Sequence, residues 1–287
     1  MTWLERLAPA AAALALATAA VPGDAAEPGL ASSPSPVAQA GAPMPANVAQ
    51  LDAALTARDY AALNGVHQAI RTYDDILLFM NWEQVRVFAG KGGIYLSLLY
   101  MGDLWNIGSQ MEQASPKLAA QADGVKQAAV FMGLYAYQLI VLDGTKCTDS
   151  TAVGHRMDQL VGDHSDTWTY ALQLPEAARE RAAWAALTLE THTGPLREND
   201  SVLCQGGMAQ MIAGLEQSAR TGQAPRQVEN GPGMVGKSYE VDTPPDFQVR
   251  FASADAWRPE QDRLRATMPA RMASLMKLKG PPAPPTP

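Results

Sequence analysis

The sequence predicts an all-α protein, an irregular bundle or array of about seven to eight helices with a long Gly/Pro-rich loop and disordered termini. Apolar residues recur at three- and four-residue steps through most of the chain, which is the spacing of one helix face. Helix-capping residues stand directly before several of these runs. The short polar-apolar alternation at 167–172 is too weak to predict a sheet.

Two short helices are expected to open the folded part. Their apolar runs are Val48, Leu51, Leu55 and then Tyr60, Leu63, Val66, Ile70. Asp59 stands between the runs as an N-cap, so a helical hairpin is predicted. Asn81 followed by Gln84 resembles a capping box and predicts the next helix, which runs to about Trp105. The glycines within 90–93 should weaken or break that helix early and let another backbone approach closely.

The most apolar helix is predicted in the middle of the chain. Ser115 and Pro116 mark its start, because serine caps a helix and proline suits its first turn. The stretch 130–142 is apolar nearly all round, which predicts a central core helix ending at about Leu142. The stretch is too short to predict a transmembrane helix, so no membrane span is expected in the mature chain.

Proline and capping residues also mark the later helices. Pro175 opens one of them, and Asp200 or Ser201 is expected to start the next. A last helix should begin around Pro259. Pro269 should kink or divide it, because proline removes a backbone donor from the helix interior.

A long loop is predicted at 221–256, where helical periodicity stops and Gly, Pro and Asn are dense. A short strand at 247–251 is the one regular element expected in it. The letters from Gly231 to Ser238 fit the phosphate-loop pattern G-x-x-x-x-G-K-[ST]. That motif needs a strand before it and a helix after it, and neither neighbouring stretch has such a pattern. We therefore interpret the match as false and predict no ATP binding.

The chain divides into four predicted parts. The first, 1–20, has the layout of a secretory signal peptide, with an A-x-A cleavage pattern ending at Ala19 and later cleavage, up to residue 26, left open. An uncleaved anchor is the alternative. The other parts are a disordered Pro/Ala-rich linker at 21–45, a single helical domain at 46–279 and a Pro-rich tail at 280–287. The protein is accordingly expected to be periplasmic or secreted.

The two cysteines of the chain, Cys147 and Cys204, are predicted to pair with each other. An exported protein reaches an oxidising compartment, where neighbouring thiols tend to form a disulfide. Free buried thiols are the alternative interpretation.

Charge and motif content exclude several function classes. With 22 Lys and Arg against 29 Asp and Glu, the net charge is -7, so the chain lacks the basic excess that nucleic-acid binding requires. There is no G-x-S-x-G turn for a hydrolase serine, and oxidised cysteines supply no thiolate nucleophile. No cofactor and no metal site are predicted, because no H-E-x-x-H or calcium-loop spacing occurs.

A polar stretch at 143–166, rich in Asp, His and Arg, is the candidate binding site. Its candidate residues are Asp149, His155, Arg156, Asp158 and His164. Such side chains can bind a metal ion, an anion or a sugar, or act in acid-base chemistry. A solvated loop with helix caps is the alternative, because the two histidines are not spaced one helical turn apart.

These patterns predict an exported helical binding or scaffold protein without catalysis, whose ligand and partners the sequence does not name. One alternative is an exported enzyme or a metal- or anion-binding protein that uses 143–166. Another is a cell-envelope protein-interaction module that uses its proline-rich ends as partner ligands.

Overall fold

A computed structural model describes residues 43–228 and 238–283. This part of the protein is helical apart from one two-stranded sheet, which confirms the predicted all-α class. It has ten α-helices, more than expected, because the polar stretch after the core helix forms two helices rather than a loop. In chain order the helices are α1 (Val48–Ala57), α2 (Tyr60–Ala69), α3 (Tyr73–Phe88), α4 (Gly93–Ala114), α5 (Ala119–Asp143), α6 (Ser150–Gly162), α7 (Ser165–Gln173), α8 (Glu176–Thr193), α9 (Met208–Thr221) and α10 (Ala254–Leu275).

Four sequence predictions fall partly or wholly outside the described residues. The predicted signal peptide and the linker as far as residue 42 lie outside them, as do the last residues of the tail at 284–287. The phosphate-loop-like match also lies outside them, except for Ser238.

The core is built around α5, whose second half is buried nearly all round, as predicted from the stretch 130–142. It packs mainly against α4 and α8, and α6, α7 and α10 complete its surroundings. By length and composition Pro116–Lys146 would suffice to cross a membrane, but 83% of its most apolar window is buried inside the fold. The largest fully buried aromatic side chain of α5 is Tyr135. Each large apolar side chain buried in this way contributes about 1.5–3 kcal/mol relative to its exposed state.

The hairpin of α1 and α2 packs on the first half of this core. Asp59 caps α2 as predicted, by accepting a hydrogen bond of 2.9 Å from a backbone N–H of the first turn. Arg58, directly before it, takes a left-handed backbone conformation with φ of 56° that ends α1. Asp52 anchors α1 to α3, because its carboxylate accepts hydrogen bonds from Trp82 Nε1 at 2.8 Å and from Arg86 Nε at 2.7 Å.

A glycine turn separates α3 from α4, as the sequence predicted. Gly90, Gly92 and Gly93 all have positive φ, which glycine adopts without a steric penalty. The predicted start of a helix at Asn81 is wrong, because Asn81 lies inside α3, which begins at Tyr73. Here tertiary packing of the apolar face outweighs the local capping signal.

Two predictions about the later helices are wrong. No helix starts at Asp200 or Ser201; α9 begins at Met208, because Asp200 caps a short turn instead. The last helix does not begin at Pro259 and is not divided at Pro269, since α10 runs through both prolines. Each proline removes one backbone hydrogen bond, and burial of the face that carries Leu264, Met268 and Met272 compensates for the loss.

The disulfide between Cys147 and Cys204 is present, with the Cα atoms 5.3 Å apart, which confirms the predicted pairing. The predicted strand at 247–251 is absent from the described residues. Instead Phe251 forms a single antiparallel bridge with Cys147. The regular strands of the long loop are β1 (Arg226–Val228) and β2 (Ser238–Glu240), which pair antiparallel.

Candidate functional site

A cleft of about 470 Å³ opens between the α1–α2 hairpin, the glycine turn and the segment 197–200 that follows α8. We call it the hairpin cleft. Charged side chains of both signs line it, and apolar and small residues fill the spaces between them. The lining residues are Asp52, Leu55, Thr56, Arg58, Tyr60, Arg86, Ala89, Gly90, Lys91, Gly92, Gly93, Asp143, Arg197, Glu198, Asn199 and Asp200.

Arg197 forms the back wall of the hairpin cleft, and its side chain is only 3% exposed. It donates from Nε to Asp143 at 2.6 Å, from Nη2 to Glu190 at 2.9 Å and from Nη1 to the Thr193 hydroxyl at 3.0 Å. Burial alone would lower the pKa of Arg197, but the charge of Asp143 and the hydrogen bonds raise it above its ordinary value. The guanidinium is therefore fixed and charged at every accessible pH.

Asp143 and Glu190, the acid partners of Arg197, also connect the back wall to other elements. Lys146 lies 3.0 Å from Asp143, and Gln261 of α10 donates to the same carboxylate at 3.3 Å. Arg265, also on α10, lies 3.2 Å from Glu190. Asp143 and Glu190 are thus each shared by more than one cation. This network ties the end of α5, α8 and α10 together, so the back wall is rigid.

Asp200 fixes the side wall of the cleft at the start of α4. One of its carboxylate oxygens accepts the N–H of Ile94 at 2.6 Å, and the other accepts the N–H groups of Val202 and Leu203 at 2.9 and 3.3 Å. Burial raises the pKa of Asp200, although these N–H groups act in the opposite direction. The first turn of α4 therefore receives its cap from a residue more than a hundred positions later.

Gly93 makes this contact sterically possible. It has a φ of 54°, and a Cβ atom there would collide with the Asp200 carboxylate. Gly93→Ala is expected to lower the free energy of unfolding by about 2–3 kcal/mol, from the left-handed backbone and the disturbed cap. Urea unfolding followed by circular dichroism measures the change. Gly154→Ala, in the open interior of α6, is the matched control and should stabilise slightly; equal effects of the two variants would contradict the prediction.

The cations at the mouth of the cleft are less constrained than those at its back. Arg58 and Lys91 have side chains that are 41% and 53% exposed. Both reach Glu198, which is 73% exposed, at 3.4 Å from Arg58 Nη2 and 3.7 Å from Lys91 Nζ. Exposed ion pairs of this length contribute at most about 1 kcal/mol each.

Tyr60 lines the floor of the cleft beside these cations, and Tyr95 packs against it. The rings of Tyr60 and Tyr95 have centroids 4.6 Å apart. Burial and the charge of Asp200 raise the pKa of Tyr60 to about 12, so its hydroxyl stays protonated at neutral pH. Burial and the nearby Glu83 raise the pKa of Tyr95 as well. Tyr60 thus brings a neutral hydroxyl group to the lining of the cleft.

An acid pair lies behind the aromatic floor. Glu83 is fully buried, and its burial together with the neighbouring Asp103 raises the pKa of Glu83 well above its ordinary value. His67 Nε2 lies 3.0 Å from both oxygens of Asp103. That hydrogen bond raises the pKa of His67 above 6.5 in spite of partial burial.

The raised pKa of His67 predicts a pH-dependent contribution to stability. The contribution is complete below the unfolded value of 6.5 and is lost as the pH rises through the folded pKa. His67→Gln should therefore cost about 1 kcal/mol more at about pH 5.5 than at about pH 8.5. Urea unfolding of both proteins at the two pH values measures the difference. In an Asp103→Asn background the pH dependence of the substitution should vanish; if it persists, Asp103 is not its cause.

Comparison with known proteins adds no function. No protein family, characterised protein or solved structure matches the chain. The site is therefore interpreted from its own geometry. Within residues 43–228 and 238–283, no group of three or more His, Cys, Asp or Glu side chains is arranged to hold a metal ion.

The residues predicted from the sequence lie elsewhere, around the disulfide. Asp149 caps α6 and also accepts the N–H of Ala209 at 2.8 Å, so it holds the start of α9. Burial opposes its charge, but the hydroxyl and backbone donors lower the pKa of Asp149 on balance. Arg156 donates from Nε to the carbonyl oxygen of Val202 at 2.9 Å. The two side chains are thus bonded to the two ends of the segment 202–209, which contains Cys204 and the start of α9.

The remaining predicted residues do not join one site. His155 packs against Gly206, which lies between Val202 and Ala209. Asp158 is exposed on α6. His164 lies on the other side of that helix, near Gly102 of α4, and burial lowers its pKa. A second cleft of about 880 Å³ lies between α9 and 244–250, with Asp149 at its edge.

No local motif marks the hairpin cleft in the sequence. Its charged residues come from the end of α1, the end of α3, the glycine turn and the segment after α8. Three glycines within four positions were the one available signal, since they predicted the close approach of another backbone. The Thr193 carbonyl lies close to Gly90, and at Gly93 the close neighbour is the Asp200 side chain. The partner in that approach could not be found from the sequence, because it is distant along the chain.

Proposed function

We propose that this chain is an exported helical binding protein that holds a small polar ligand in the hairpin cleft. The observation that carries the proposal is the contrast between the two parts of the cleft. Arg197 at the back is fully paired, whereas Arg58 and Lys91 at the mouth are exposed and weakly paired. In small-molecule sites a few precisely placed polar groups in a pre-formed cleft fix the orientation of the ligand.

The disulfide supports export and a periplasmic or secreted location. Disulfides persist mainly in oxidising compartments, and the first residues of the chain have the pattern of a secretory signal peptide. Separation of the host cells into cytoplasmic and exported fractions tests the location. We expect a shortened, oxidised chain in the exported fraction; a full-length chain in the cytoplasm would contradict the proposal.

Binding is favoured over catalysis by the state of the acids in the cleft. Asp52, Asp143 and Asp200 each accept hydrogen bonds from fixed donors. Acids bonded in this way are poor general bases, because their lone pairs are occupied. The least constrained groups of the lining are the donors of Arg58 and Lys91 and the Glu198 carboxylate, which can bind a polar ligand.

A cleft-filling substitution tests the proposal. Thr56 is exposed and lines the cleft, while its neighbour Ala57 is exposed and does not. A panel of small neutral, anionic and cationic metabolites would be titrated calorimetrically into the wild type, Thr56→Trp and Ala57→Trp. We expect a ligand that binds the wild type and Ala57→Trp but not Thr56→Trp. Absence of any ligand, or binding that survives Thr56→Trp, would rule out the cleft as the site.

A protein-interaction module is the second candidate function, because α9 exposes an apolar stripe. Met208, Met211, Ile212 and Leu215 follow helical spacing and are 44–49% exposed. A photoreactive residue at Ile212 should crosslink to a discrete partner in the cell envelope, whereas one at the exposed Gln113 should not. Equal crosslinking at both positions would remove this candidate.

The enzyme or metal- or anion-binding alternative at 143–166 stays a prediction. Replacing both His155 and Asp158 with alanine tests it. Loss of an activity or of ion binding in a folded variant would favour this alternative over the hairpin cleft.

A further inference from the structure

We infer that the ligand of the hairpin cleft is a small monocarboxylate, and that Glu198 competes with it for Arg58 and Lys91. The inference rests on the proposed function, since it names the ligand class of the same site. It follows from which charges in the cleft are already satisfied and which are not.

Glu198 shows how a carboxylate sits at the mouth. One of its oxygens faces Arg58 at 3.4 Å and the other faces Lys91 at 3.7 Å. The two cations come from different elements, the end of α1 and the glycine turn. A single carboxylate can thus bridge the hairpin and the body of the fold, with one oxygen on each side.

The two mouth cations have unused donors. Among residues 43–228 and 238–283, neither Arg58 nor Lys91 pairs with any acid other than Glu198. The other arginines in the cleft differ: Arg86 is bonded twice to Asp52, and each side-chain nitrogen of Arg197 has a partner. An incoming anion therefore finds the least constrained cations at the mouth.

A cationic ligand has no comparable partner. The acids of the lining other than Glu198 are bonded to fixed cations or backbone N–H groups, as described above. Glu198 itself is 73% exposed, so it gives a cation little desolvated contact. Tyr60, whose hydroxyl stays protonated, adds a neutral donor, and Leu55 and Ala89 add apolar surface for the body of a ligand.

Displacing Glu198 is energetically easy. Its contacts with Arg58 and Lys91 are long and exposed, so they stabilise the position of its side chain only slightly. A ligand carboxylate that also buries an apolar body gains more than these contacts supply. Glu198 therefore acts as a replaceable occupant of the site.

Calorimetry with matched compounds tests the ligand class. The probes are benzoate, benzamide and benzylammonium, and butyrate, butyramide and butylammonium, at low ionic strength and neutral pH. We expect each carboxylate to bind at least about tenfold more tightly than its amide and its amine, as a charge-assisted hydrogen bond requires. Thr56→Trp should abolish the binding.

Substitutions test the roles of the three side chains. Glu198→Gln should bind the carboxylates about two- to fivefold more tightly, because the competing charge is gone. Arg58→Gln and Lys91→Gln should each bind them about tenfold more weakly. Arg181→Gln and Lys117→Gln, exposed positions outside the cleft, are the matched controls and should bind like the wild type.

The outcomes separate this inference from the proposed function. If the amides or amines bind as tightly as the carboxylates, and Thr56→Trp abolishes their binding, the ligand is not a carboxylate. The proposed binding function of the cleft would then still hold. Weaker carboxylate binding by Glu198→Gln would overturn the competition and make Glu198 part of the site. If no compound binds here or in the wider metabolite panel, both proposals fail.

Discussion

Arg197→Met is expected to lower the free energy of unfolding by about 3–5 kcal/mol, because it removes a buried cation and leaves its acid partners behind. The side chains of Asp143 and Glu190 are 6% and 3% exposed, so water cannot replace the lost hydrogen bonds. Lys146 and Arg265 compensate only part of the charge, since each contacts one of the two acids. Methionine keeps the length and apolar volume of the arginine stem, so the decrease in unfolding free energy measures the effect of removing the charge.

Urea unfolding at neutral pH measures this effect. Arg263→Met is the matched control, because Arg263 pairs with Glu260 on the exposed face of α10 and should change stability little. Replacing Asp143 by Asn and Glu190 by Gln together with Arg197→Met should recover part of the loss, since no unpaired buried charge then remains. If Arg197→Met is as stable as the wild type, the ion pairs of Arg197 with Asp143 and Glu190 do not stabilise the folded protein.

The double variant Cys147→Ser, Cys204→Ser is expected to lose about 4 kcal/mol of unfolding free energy, a value that follows from the entropy of the loop that the bond closes. The two cysteines are separated by 57 positions, and the constraint acts mainly on the unfolded chain. Local effects should concentrate in the turn that contains Cys204, which also carries the Asp200 cap. Hydrogen exchange there should therefore increase more than exchange in α5.

Reduction of the wild-type protein supplies the comparison. Treated with a thiol reductant, it should unfold at the urea concentration of the double serine variant, and the variant itself should not respond. If reduction leaves the wild type unchanged, the bond contributes no stability and the expected loss is wrong.

The features predicted correctly from the sequence are those that short stretches encode. The all-round apolar pattern of 130–142 is local, and so is the capping role of Asp59. The pairing of Cys147 with Cys204 followed from their number and the expected compartment. In each case neighbouring residues, or a single chemical constraint, suffice for the inference.

The features that were mispredicted depend on distant partners. Asp200 has the sequence features of a helix start, but its carboxylate is shared between its own turn and Ile94 on α4. Asp149 accepts the N–H of Ala209 and Arg156 donates to the carbonyl oxygen of Val202, while their role in a binding site stays a prediction. Their donors and acceptors become known only when the chain is folded.

The cap that Asp200 provides also constrains the order of folding during synthesis. Ile94 precedes its partner by 106 positions, so the start of α4 stays uncapped for about 5–20 s at ordinary elongation rates. During that interval Asp200, which contacts the glycine turn, and Glu198, which pairs with Arg58 and Lys91, have not yet been synthesised. A chain interrupted before residue 200 would thus contain most of the cleft lining in an unfinished form. The cleft is therefore completed late, when the last third of the polypeptide arrives.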